Sequence, residues 1–127
     1  MEHGIRLTSV NLNAPDPRAL GDFYARLLGW EVLHDEAGWV VVGRGDDYFR
    51  VSFEEDVNFQ RPVWPSEPGA PPIQMHLDIR VTDLDGALAH ALECGAELAP
   101  HQPQDDVRVC LDPVGHAFCL FLDESEG

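Results

Sequence analysis

The sequence predicts an α+β protein built from two similar βαβββ halves. Three observations predict it: two helix starts of the same design, alternating segments placed alike around each, and one spacing relating the two sets. Asp16-Pro17 opens the first helix, because Asp can cap free N–H groups and Pro tolerates the first turn, where its missing donor is not needed. Leu20, Phe23, Tyr24, Leu27 and Leu28 follow at helical spacing, and Gly29 can take the left-handed conformation that ends a helix, which gives a helix over about 17–28. Asp83 opens the second, with Leu84, Ala87, Leu88, Ala91 and Leu92 on one face and Gly95 as its stop.

The flanks repeat as well. IRLTSVNLNA precedes the first helix and IQMHLDIRV the second, both alternating as strands do, while GWEVL and GAELA follow. The repeat is about 67 residues, the step from Asp16 to Asp83. Further strands are expected near 30–35, 39–44 and 48–54 in the first half, and near 96–101, 106–111 and 116–122 in the second. Glu36-Ala37-Gly38, Gly45-Asp46-Asp47 and Asp112-Pro113-Val114-Gly115 supply turns. Residues 55–72 hold five of the ten prolines and read as a linker. The expected organisation is one domain over 1–127, with modules at about 5–54 and 73–123, because two independent domains of this size would each bury a poor core.

Composition narrows the function. A net charge of −15, from 23 acidic residues against eight Arg, repels phosphate backbones and anionic lipid, so neither nucleic acid nor membrane is an expected partner. The absence of Lys excludes Schiff-base chemistry on a lysine, and the wealth of Ala, Gly, Pro and Arg suggests a GC-rich bacterial genome. The N-terminus lacks a positive region followed by an apolar run and a cleavage pattern, and no 18 apolar residues run together, which points to a cytoplasmic protein. Cys94, Cys110 and Cys119 lack close metal-type spacing and read as free thiols of a reducing compartment. No GxSxG elbow or Gly-rich phosphate loop supports covalent or phosphate chemistry.

DPRALGDFYARLLGWEV, QMHLDIRVTDLDGALAHALECGAEL and the ending LDPVGHAFCLF resemble the vicinal oxygen chelate superfamily, the glyoxalase and bleomycin-resistance fold. With PVWP in the linker they look like its actinobacterial glyoxalase-like subgroup. The resemblance implies paired βαβββ modules whose sheets form a curved half-barrel around a central cavity, often in homodimers. It does not imply one reaction, since the superfamily spans lyases, isomerases, dioxygenases, thiol transferases and drug-sequestering proteins.

Strand parity proposes the cavity face. Val10 and Leu12 oppose Ser9, Asn11 and Asn13; Phe49, Val51 and Phe53 oppose Arg50, Ser52 and Glu54; Met75, Leu77, Ile79 and Val81 oppose Gln74, His76, Asp78 and Arg80. The apolar sets, with Thr8, should meet the helices. The candidate ligand-binding residues on those faces are therefore Ser9, Asn11, Arg50, Ser52, His76, Asp78 and Arg80, and the resemblance adds Cys119 as its eighth-strand position. Trp64 joins them, either as an indole held over the cavity mouth or as an apolar plug.

Metal-dependent relatives place ligands on the first, fourth, fifth and eighth strands, typically His or Gln, Glu, His and Glu. The resemblance carries these positions onto Ser9, Ser52 or Glu54, His76 and Cys119, and only His76 matches. A zinc set of His76, Glu54 and Cys119 with an open fourth position is chemically possible, though a hard divalent ion would normally take a carboxylate where Cys119 stands. The other reading makes His76 a hydrogen-bonding pocket residue and Cys119 a small apolar one. His3, His34, His90 and His101 are expected to be exposed, and His116 to pack at a turn or edge. The expected function is binding of a small organic ligand, by sequestration or sensing, without a cofactor. The alternative is a lyase or isomerase using His76 as base or as ligand to a weakly held divalent metal.

Overall fold

In a computed structural model that describes residues 2–122, the chain forms two four-stranded mixed sheets, each carrying one helix. The first half comprises β1 (Ser9–Ala14), α1 (Pro17–Leu28), β2 (Glu31–Glu36), β3 (Trp39–Gly43) and β4 (Arg50–Glu55). The second comprises β5 (Leu77–Val81), α2 (Leu84–Cys94), β6 (Glu97–Leu98), β7 (Val107–Leu111) and β8 (Ala117–Leu122). The sheet orders β1-β4-β3-β2 and β5-β8-β7-β6 follow one plan, with a parallel pair formed by the first and last strands of each half. The α+β class and the repeat are as the sequence indicates.

The caps are local and behave alike. Asp16 Oδ1 accepts from the backbone N–H groups of Arg18 (3.1 Å) and Ala19 (3.4 Å), and Asp83 Oδ1 accepts from Gly86 N–H at 3.0 Å. Gly29 and Gly95 end the helices at φ 69° and 118°, where a side chain would be strained.

In the first half, Leu20, Phe23 and Tyr24 turn from α1 onto Val40, Val42, Val51 and Phe53, all buried. Tyr24 stacks on Phe53 with ring centres 5.6 Å apart, and Phe23 meets Tyr24 edge-on at 4.8 Å. Gly21 lets the helix approach β3, since a Cβ there would fall 2.7 Å from Val40 Cγ1.

The second half packs its helix more lightly. Ala91 and Cys94 are its buried positions and Leu88 is half-buried, but Leu92, assigned by periodicity to the same face, is 44% exposed. It lies one residue, hence about 100°, past Ala91, which puts it on the flank of the stripe. The opposite face of the sheet buries Val109, while Phe118 and Leu120 fill the core under α2.

Four other expectations shift. The fifth strand begins at Leu77 rather than 73, its first register pair being Leu77↔Phe118; Met75, two residues before it, is 63% exposed. Phe49 and Thr8 precede their strands and are exposed. His34 lies within β2 and is half-buried, its Nε2 2.7 Å from Glu36 Oε1 and its ring 4.5 Å from that of Trp39. The sixth strand is only two residues long, as Pro100 and Pro103 cannot donate to a ladder.

The division between the compact halves falls between Phe59 and Gln60, so most of the proline-rich segment belongs with the second half. Val63 N–H donates to the Pro71 carbonyl at 2.7 Å, folding the segment back on itself. Arg61 Nη1 donates to the Pro113 carbonyl at 3.1 Å and an Arg61 nitrogen lies 3.6 Å from Glu97, tying this segment to the last hairpin. That hairpin turns around Asp112, fully buried, whose Oδ1 accepts from the N–H groups of Val114 (3.0 Å) and His116 (2.9 Å).

Candidate functional site

Within the second half, alternation builds a sheet face in rows. Asp78, Cys119 and Val109 are register partners across β5, β8 and β7, and Arg80, Phe121 and Val107 form the next row. These side chains stand on the face opposite Phe118 and Leu120. His76, just before β5, shares the parity of Asp78, and its Nε2 is 3.1 Å from Asp78 Oδ1.

Above this floor is an open cavity of about 510 Å³, lined by Trp64, His76, Asp78, Pro103, Gln104, Val107, Val109, Cys119 and Phe121. Trp64, from the folded-back proline-rich segment, supplies one wall, with its ring 5.6 Å from that of His101. Pro103 and Gln104 supply the rim between β6 and β7. Four of the sequence candidates, Trp64, His76, Asp78 and Cys119, line this cavity. Arg80 shares the sheet face but is not among the lining residues.

The other candidates sit on the first half's sheet. Asn11 and Ser52 are register partners across β1 and β4, and Ser52 Oγ donates to Asn11 Oδ1 at 3.1 Å, which satisfies a hydroxyl on a residue only 7% exposed. Ser9 is opposite Arg50, whose guanidinium donates to the Asp47 carbonyl. Glu54 is exposed on β4 beside Asn13.

The sequence did not single out the rim residues Pro103 and Gln104 or the floor residues Val107, Val109 and Phe121. Phe121 was accessible from parity, being two residues past Cys119. Pro103 and Gln104 had no such signal, because a loop residue's position follows from pairing elsewhere.

The electrostatics favour neutral sulfur. Burial, and secondarily the Asp78 carboxylate, raises the Cys119 thiol above its ordinary range. On the opposite face of the sheet, burial and the neighbouring Cys119 push Cys110 up to about 11. Neither thiol is activated as a nucleophile in the way a lowered pKa would do.

His76, Asp78 and Cys119 each offer a donor atom within 4.8 Å of the others, a grouping capable of holding a metal ion. The donor set does not fit the hard, oxygen-rich divalent ion of metal-dependent relatives, having one carboxylate and one thiol. Ligation by Cys119 would also require the thiolate that burial and Asp78 disfavour.

A family model for the glyoxalase-like domain matches residues 9–121, nearly all of the described chain. The chain belongs to the glyoxalase-like family. Solved structures share its fold. This glyoxalase-like chain superimposes on a glyoxalase/bleomycin resistance protein/dioxygenase family enzyme from Burkholderia phytofirmans with a TM-score of 0.69 at 18% identity, over 93% of this chain and 98% of that one. It is similar to the antibiotic-binding protein TnmS3 from a Streptomyces strain, with a TM-score of 0.60 at 21% identity over 98% and 100% of the two chains. It is similar also to the bleomycin resistance determinant of transposon Tn5, at 0.62 and 21% over 94% and 99%. At these identities the likeness shows the glyoxalase/bleomycin-resistance fold alone. No curated protein matches the glyoxalase-like chain.

Proposed function

We propose that this protein binds a small organic molecule in the second-half cavity, sequestering or sensing it without a metal. The carrying observation is the cavity: about 510 Å³, with an apolar lining of Trp64, Val107, Val109 and Phe121 and a few convergent polar groups, His76, Asp78 and Gln104. That combination suits shape-based capture with orientation set by hydrogen bonds. Two structural neighbours, an antibiotic-binding protein and a bleomycin resistance determinant, support this reading. A cytoplasmic bacterial protein acting as a homodimer is the setting we propose for it.

The His76–Asp78 contact favours a second reading, an isomerase or lyase. A carboxylate 3.1 Å from an imidazole nitrogen orients the ring, so a neutral His76 can take a proton from a substrate carbon in the cavity through its other nitrogen.

Native mass spectrometry with a panel of aromatic metabolites and antibiotics tests the proposal. A one-to-one complex, weakened about tenfold or more by Trp64→Ala in a variant that stays folded, supports it. A panel without a binder, together with a Trp64→Ala variant that unfolds, makes Trp64 a structural plug and overturns it. Turnover of a bound compound, abolished by His76→Ala, moves the assignment to the enzyme.

A further inference from the structure

We infer that the cavity selects planar aromatic cations over neutral or anionic molecules of the same shape. The inference rests on the binding reading above and names the ligand class for that site.

The first part of the argument is the charge of the lining. Asp78 is the only residue there with a carboxylate or guanidinium side chain, and it stands on the floor in one row with Cys119 and Val109. Trp64 and Phe121 are aromatic lining residues, and aromatic faces attract cations and stack on flat rings. A ligand spanning an aromatic wall and a carboxylate is satisfied at both ends by a ring bearing a positive nitrogen.

The surroundings reinforce this. Between Gln60 and Leu122 the sequence carries nine acidic residues and three Arg. Asp105 and Asp106 follow Gln104 directly on the exposed rim, so a cation approaching the mouth meets attraction and an anion repulsion. The arginines do not cancel it. Arg61 is paired with the Glu97 carboxylate, and Arg108, which donates to the Asp105 and Val107 carbonyls, keeps its charge but is outnumbered by the adjacent Asp105 and Asp106. Arg80 stands in the next row beside Phe121, outside the lining, and has an interaction of its own. A desolvated anion on this floor would sit against Asp78, whose repulsion is strong at contact distance.

The test is calorimetric titration of the whole protein with three bicyclic probes of similar size: 1-methylquinolinium, quinoline at pH 8, and 2-naphthoate. The cation should bind about tenfold or more tightly than quinoline, with 2-naphthoate weakest. Asp78→Asn should shrink the cation-to-neutral ratio to about threefold or less. Raising the salt from about 20 to 500 mM should reduce the ratio in the unaltered protein, because charge attraction at an open site is screened. Equal binding of all three, or a preference for 2-naphthoate, overturns the charge selectivity and leaves the binding reading intact. A cation preference that Asp78→Asn leaves untouched overturns the role of Asp78. If none of the three binds, and the wider panel also fails, the cavity is not a binding site and both readings fall.

Discussion

The side chain of Gln102 takes both backbone groups of Val109. Its Nε2 donates to the Val109 carbonyl at 2.9 Å and to the Ala99 carbonyl at 2.8 Å, while its Oε1 accepts from Val109 N–H at 2.9 Å. An amide side chain thus substitutes for a strand that two prolines interrupt, and it fixes the rim residues Pro103 and Gln104 against β7. Gln102→Ala should lower stability by about 1 to 3 kcal/mol, because half-buried backbone groups lose their partners. Urea unfolding measures it, and a shift equivalent to less than about 0.5 kcal/mol would mean that water replaces the amide at no cost.

Phe23 is 1% exposed and edge-on to Tyr24, in the buried core of the first half. Phe23→Ala should cost about 3 to 5 kcal/mol, through lost transfer energy plus the cavity left behind. The same experiment on Leu88, only half-buried on α2, should cost less. Equal losses at the two positions would contradict the difference in packing between the helices.

How much of this was legible in the sequence depended on the range of the interactions. Asp16 and Gly29, Asp83 and Gly95 act on residues within one turn, so their types alone disclosed both helices. Parity placed His76 and Asp78 on one face, whereas Cys119, the register partner of Asp78, was reached only through the family resemblance. It could not show that His76 lies outside the ladder, or that Leu92 sits beyond the packed stripe, since both depend on where another element ends. Arg61 and Gln102 escaped notice for a related reason. Each is a polar side chain bonded to backbone, and nothing in its immediate sequence marks the carbonyl or N–H group it will meet.

Cys110 makes stability depend on pH. Its thiol is raised from an ordinary 9.0 to about 11, mainly by burial, so the folded state holds the proton more tightly than the unfolded state. In the interval between the two values the unfolded chain binds fewer protons, and stability therefore falls as pH rises. The contribution is complete below about 9 and is lost by about 11, a change on the order of 2 to 3 kcal/mol. Comparing urea midpoints of the protein and Cys110→Ala from pH 8 to 11 isolates it from tyrosine titration. Parallel curves would show that the thiolate is accommodated in place.

The last prediction concerns metal. His76, Asp78 and Cys119 lie close enough to share an ion, yet the one soft donor is kept protonated and the one hard donor is already engaged with His76. An ion would have to displace the thiol proton and break the His76–Asp78 contact, both of which weaken it. Protein purified without added metal and dialysed should therefore carry well under one equivalent of divalent ion by elemental analysis. Zinc is the ion this mixed donor set tolerates best, and added zinc should bind more tightly as pH rises and the thiol ionises. Stoichiometric zinc, nickel, manganese or iron that survives dialysis and is lost on His76→Ala would replace the metal-free binding protein with a metalloenzyme, whose open coordination position would face the same cavity.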